Sequence, residues 1–147
     1  MSPALGVDGR EFKAGVRTGI RRYLVEVLRA ASEAGWTCLV YGDAGTRLEL
    51  GLPGVRYRLL GGTWTQWWDQ VSLPAALRED RVSVFLSPYY KGPLVAPCPV
   101  VVTIHDLLFI GYTGRRRALY DAATTGLARL YARRAAAIIA DSGYSKR

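Results

Sequence analysis

The run Pro99-Val100-Val101-Val102-Thr103-Ile104-His105-Asp106 decides the fold. An unbroken apolar stretch rich in β-branched residues, entered through prolines at 97 and 99, reads as a parallel strand buried on both faces. Its last apolar residue is followed at once by the single histidine of the chain and then a carboxylate. In open α/β sheets the ligand crevice lies outside the carboxyl ends of the strands, so His105 and Asp106 stand where a site is expected.

Working outward, the same pattern of short apolar strand and amphipathic helix repeats. Leu5-Gly6-Val7 reads as a first strand that ends in Asp8-Gly9-Arg10, where Asp8 is expected as a turn residue. A flexible, basic loop follows, containing Gly9, Gly15 and Gly19 with Arg10, Lys13 and Arg17. Its spacings fit neither the dinucleotide fingerprint nor the P-loop. Ile20, Tyr23, Leu24, Val27, Leu28 and Ala31 then recur at helical spacing, with Thr18 as N-cap and Gly35 just past the end. Cys38 to Tyr41 and Val55 to Leu60 read as strands two and three, the latter with the polar interruptions of an edge.

Trp64, Trp67, Trp68, Val71, Leu73 and Leu77 form an aromatic helical segment in which Pro74 is expected to cause a break or kink and to open a second short helix. Tryptophans so closely spaced mark either core and interface packing, the commoner use, or a membrane or ligand surface. Val82 to Leu86 is the fourth strand, ending in Ser87-Pro88-Tyr89-Tyr90-Lys91. A long helix over 115–134 with Leu119, Tyr120, Ala123, Leu127, Leu130 and Tyr131 on one side precedes a sixth strand at Ala136 to Ala140. Ser142 would cap a further helix, and the chain stops one turn later. A strand-to-helix transition is an unusual boundary, so a longer protein is expected.

Alternating strands and helices predict an α/β fold: a Rossmann-like, doubly wound, mostly parallel sheet with helices on both faces. Its carboxyl edge then collects the glycine loop, Ser87 to Lys91, His105-Asp106 and Ser142 to Arg147. Glycines permit close backbone approach, hydroxyls and tyrosines bond polyols, and helix N-termini face anions. No nucleophile elbow accompanies His105, which at a strand end serves as often for structure as for chemistry.

The totals set bounds. At 147 residues the chain is one domain with a real core, and half its residues are hydrophobic. Twenty Lys and Arg against 12 Asp and Glu give a net charge of +8, which favours anionic partners. The arginines are scattered, with one short cluster at 115–117, which weighs against a dedicated nucleic-acid binder. Cys38 and Cys98 make neither a metal site nor a disulfide framework, so no metal is expected. No secretory leader and no stretch approaching the roughly 18 to 20 apolar residues of a membrane span is visible. The expected location is the cytoplasm, with peripheral contact at the inner face of the plasma membrane left open by the tryptophans and the Arg115 cluster.

Five motifs together resemble a known family. They are Thr18-Gly19-Ile20-Arg21-Arg22-Tyr23, Trp67-Trp68-Asp69-Gln70-Val71-Ser72-Leu73-Pro74, Ser87-Pro88-Tyr89, Val102-Thr103-Ile104-His105-Asp106-Leu107 and Asp141-Ser142-Gly143-Tyr144-Ser145-Lys146-Arg147. Their order resembles the amino-terminal domain of family 4 (group 1) retaining glycosyltransferases of the GT-B fold. The resemblance implies that residues 1–147 are an acceptor-side, Rossmann-like domain, truncated, whose carboxy-terminal nucleotide-sugar-binding partner domain is absent. It implies sugar transfer from a nucleotide-sugar donor to a saccharide or lipid-linked acceptor, with no other cofactor, and an inactive fragment on its own. His105 is implied to lie near the transferred sugar. Gly15, Thr18, Gly19, Ser87, Tyr89, Tyr90, Asp106, Ser142 and Ser145 are the expected cleft-binding residues. Arg21 stands where the family often has glycine. The alternative is a non-catalytic Rossmann-like module gripping a phosphorylated metabolite or an anionic membrane surface.

Overall fold

A computed structural model describes residues 1–47, 50–62, 64–105 and 118–140, with no account of the side chains at 118–121. The strands are β1 (Ala4–Asp8), β2 (Thr37–Gly42), β3 (Val55–Leu59), β4 (Val84–Ser87), β5 (Val100–Ile104) and β6 (Ala137–Ala140). They form one six-stranded parallel sheet in the order β3-β2-β1-β4-β5-β6. Strand order therefore reverses between β1 and β4, and that reversal opens the crevice in which α/β proteins of this type hold ligands. The fold is the expected Rossmann-like, doubly wound one.

Two apolar layers sandwich the sheet, as the alternation of side chains along each strand requires. Helix α1 (Gly19–Glu33) lays Leu24 and Leu28 against Leu5, Val7, Cys38, Val40 and Leu86. The opposite layer is capped by Trp68, Leu73, Ala76 and Leu77, which meet Ala4, Leu39, Tyr41, Phe85, Val100 and Val102. Strand β5 contributes Val100 and Val102 to one layer and Val101 to the other, so it is covered on both sides as its composition predicts. Gly6 of β1 matters to this packing, because a Cβ there would lie 3.0 Å from Val82 and 3.2 Å from Leu77.

Helix α1 begins and ends as read from sequence. The Thr18 hydroxyl accepts from the Arg21 backbone N–H at 3.1 Å, and Gly35 takes up the left-handed conformation, φ 84°, that ends the helix without a Cβ clash. Pro74 opens a second short helix as expected, and the irregularity before it is a π-helical turn rather than a break. Helix α2 (Thr65–Trp67) runs into a π-helical turn, Trp68–Ser72, and then into α3 (Leu73–Glu79), with Pro74 at the start of α3. The wide turn spares Pro74 the i−4 contact that would clash in a straight α-helix, so the chain bends its ladder without leaving helical conformation.

Helix α4 spans Ala118–Arg134. Tyr131 is buried, whereas Leu127, Leu130 and, on the edge strand β6, Ile138 and Ile139 keep substantial exposure. Among the described residues no helix is long and apolar enough to cross a membrane.

Candidate functional site

Parallel strands bring their carboxyl ends to one edge, and the reversal of order places the loops after β1 and β4 side by side there. The bond between them is Glu11, whose carboxylate accepts from the Thr18 hydroxyl at 2.6 Å and from the Tyr89 hydroxyl at 2.7 Å. Burial raises the Tyr89 pKa above its ordinary value, and the bond to Glu11 and the nearby Asp8 charge push the same way. Tyr89 therefore stays a neutral donor.

Arg10 is the centre of the site. Its guanidinium donates to both Asp8 oxygens, at 3.0 and 2.6 Å, and to Asp69 at 2.6 Å, while lying 3.8 Å from the centre of the Trp68 ring. Burial works against its charge, but the hydrogen bonds and charges of Asp8 and Asp69 more than offset that and hold its pKa above the ordinary value. For Asp69 the balance goes the other way. Burial raises its carboxyl pKa, and Arg10 and Lys91 only partly counter it. Its second oxygen, Oδ2, and the indole nitrogen of Trp68 are buried without a hydrogen-bond partner among the described residues. Both orphan atoms lie on the π-helical turn, a feature often found at functional sites.

Beside this cluster lies a cavity of about 310 Å³ lined by Arg10, Lys13, Asp43, Thr65, Tyr89 and Lys91. Three loops contribute to it, those following β1, β2 and β4, together with Thr65 at the start of α2. The long β1–α1 loop is not slack despite its glycines. Arg21 reaches back to donate to the Val16 carbonyl at 3.1 Å and lies 5.9 Å from the Phe12 ring centre, so its side chain fastens this loop from α1.

The residues singled out from sequence divide between this cavity and the rest of the edge. Tyr89 lines it, while Thr18 supports it through Glu11 and caps α1. Gly15 and Gly19 are exposed, and a Cβ at either would meet nothing within 4 Å. Ser87 is fully buried and shapes the β4 loop, donating to the Lys91 carbonyl at 2.6 Å and accepting from the Tyr89 N–H at 3.3 Å. Tyr90 turns away to meet Tyr131 edge to face, with ring centres 6.4 Å apart. His105 follows β5 directly and meets Tyr23 of α1 edge to face at 5.3 Å. Asp106, Ser142 and Ser145 lie outside the described residues.

Sequence reasoning left out Asp8, Arg10, Glu11, Asp69 and Lys91 as site residues. One signal was available: a carboxylate, Asp69, inside an otherwise apolar aromatic helix implies a buried cationic partner. The tryptophans divide. Trp68 is buried under Arg10, whereas Trp64 and Trp67 remain 67% and 53% exposed. Among the described residues no group of three or more His, Cys, Asp and Glu is placed to hold a metal ion.

The fold and this edge define a Rossmann-like domain with a polar, ligand-sized cleft at the strand-order switch. A family model, Glycosyltransferase Family 4, matches residues 17–147, and the chain belongs to that family. The match spans α1 through β6 and so includes the carboxyl edge from Thr18 onward. No curated protein and no solved structure matched the chain.

Proposed function

We propose that this chain is the acceptor-side half of a retaining glycosyltransferase of the GT-B type. Such an enzyme moves a sugar from a nucleotide-sugar donor to a saccharide or lipid-linked acceptor across a cleft whose other wall is a nucleotide-sugar-binding domain. The observation that supports this most is the meeting of the β1 and β4 loops over a cavity of about 310 Å³ at the strand-order switch, in a chain of this family.

In this reading Tyr89, Lys91, Lys13 and Thr65 hold the acceptor, Arg10 fixes the floor of the cleft, and Gly15, Thr18 and Gly19 form the open lip nearest the donor half. His105, at the end of β5, lies beside the transferred sugar. The donor diphosphate is held by the other half, and no metal or further cofactor is needed on this side. Exposure of Trp64 and Trp67 favours peripheral contact with a membrane carrying a lipid-linked acceptor, on its cytoplasmic face.

The test compares protein from the complete coding sequence with residues 1–147 alone, each given a panel of nucleotide sugars and saccharide acceptors. The complete protein is expected to release nucleoside diphosphate and form a glycoside of unchanged anomeric configuration, and residues 1–147 to do neither. Developing diphosphate charge needs preorganised partners, which in this reading the other half supplies. Transfer by residues 1–147 alone, or transfer with inversion, overturns the proposal.

A further inference from the structure

The chain carries a net charge of +8, yet the cavity beside Arg10 is not a cationic pocket. The Arg10 charge is spent between the two buried carboxylates of Asp8 and Asp69. Glu11, in the same network, is engaged by two hydroxyls. Asp43, whose Oδ1 accepts from the Gly45 N–H and the Thr46 hydroxyl, lines the cavity together with Lys13 and Lys91, neither of which forms an ion pair among the described residues. Three cations thus stand among four carboxylates. An anion entering here would meet Lys13 and Lys91 but also the Asp43 carboxylate on the wall, with the Arg10 charge already held by the buried Asp8 and Asp69 behind it.

We infer that the cavity takes an uncharged, polyhydroxylated ring, a neutral hexopyranose of the acceptor, and disfavours its phosphorylated or carboxylated counterpart. This rests on the acceptor-side reading above. Ammonium groups and the Thr65 hydroxyl donate, while Asp43 and the hydroxyl oxygens of Thr65 and Tyr89 accept. A sugar hydroxyl does both, so it pairs with each kind of wall group, whereas a phosphate only accepts and leaves Asp43 opposed. The volume, about 310 Å³, stands at the small end of the roughly 300–1,000 Å³ of small-ligand sites, the scale of one ring rather than a nucleotide.

The experiment is a nitrogen-15 NMR titration of the 147-residue chain with methyl α-D-glucopyranoside, methyl α-D-mannopyranoside and methyl α-D-galactopyranoside, and with glucose 6-phosphate and glucuronate. At least one neutral glycoside is expected to shift the Lys13, Thr65 and Tyr89 amides saturably and to bind there more tightly than either anion. Its affinity is expected to change less than about twofold between about 0.02 and 0.3 M salt. Lys13→Gln, which drops a charge on an exposed side chain but keeps a donor, should weaken the glycoside by less than about fivefold. Tighter binding of an anion at these amides, a steeper salt or Lys13→Gln effect, or no response to any neutral glycoside overturns the inference. The transferase reading is judged separately by product formation: transfer to an acidic sugar would sink this inference alone, and glycoside binding without transfer would sink only that reading.

Discussion

The guanidinium carbon of Arg10 lies over the Trp68 ring, 3.8 Å from its centre, although the two residues are 58 positions apart in the chain. The stack joins the turn after β1 to the π-helical turn, and the ion pairs to Asp8 and Asp69 fix it from both sides. The floor of the cleft is therefore one charge network rather than four independent side chains.

Removing the cation should be costly. Arg10→Ala leaves two carboxylates buried without their partner, and breaking a buried pair this way destabilises by about 3–5 kcal/mol. Urea unfolding of the variant should show a loss in that range, and adding Asp69→Asn should restore part of it. A loss under about 1 kcal/mol, the scale of an exposed pair, would mean that the network is solvent-screened.

Asp69 gives the network a pH signature. Burial raises its folded-state pKa, so the native state holds a proton that the unfolded chain has released. The stabilising contribution is complete below the unfolded carboxylate pKa and is lost as pH rises through the raised folded value. Relative to Asp69→Asn, which cannot titrate, the unmodified chain should lose stability as pH climbs above the ordinary carboxylate range. Denaturant midpoints measured across that range check this, and a difference that does not vary with pH contradicts it.

Tyr89 and Thr18 share Glu11, so their effects should be coupled. Tyr89→Phe removes a hydrogen bond to a charged group, a loss of about 1.5–3 kcal/mol. Thr18→Ala removes both the helix cap and the second bond to Glu11, and should exceed the roughly 1 kcal/mol of a cap alone. A double-mutant cycle read by thermal unfolding should give a non-zero interaction energy; strict additivity would show that the two loops are not joined through this carboxylate.

Gly9 turns the chain directly over β2, its N–H donating to the Tyr41 carbonyl at 2.7 Å, and a Cβ there would collide with Val40. Gly9→Ala should lower stability by about 1–3 kcal/mol through overpacking. Gly19→Ala, where a Cβ meets open space, should leave stability unchanged or slightly raised, because alanine is the better helix former. Equal effects at the two positions would contradict the packing described for Gly9.

Strands β1 and β5 and helix α1 were legible because burial writes a period into the sequence: unbroken for a strand covered on both faces, three and four for a helix. Thr18 and Gly35 were legible because each supplies a local geometry that few residues can. The π-helical turn was not, since Pro74 announces a disturbance without saying whether the chain breaks or widens. The Arg10 network was illegible for a different reason. Asp8-Gly9-Arg10 reads as a turn and Asp69 as a stray charge until the sheet brings β1 and the π-turn together, 59 residues apart between Arg10 and Asp69. Ser87 shows the limit of edge reasoning: it sits at the right edge but spends its hydroxyl on the turn that presents Tyr89 and Lys91.

The most direct measurement is turnover by His105→Ala in protein from the complete coding sequence, alongside its melting temperature. If sugar transfer takes place at this edge, acceptor-dependent turnover should fall by about 100-fold or more, the scale of losing a group that acts on the reacting atoms. The melting temperature should move little, because His105 is only half-buried at the end of β5. Full turnover by a well-folded His105→Ala enzyme would place the chemistry elsewhere and leave His105 as packing against Tyr23.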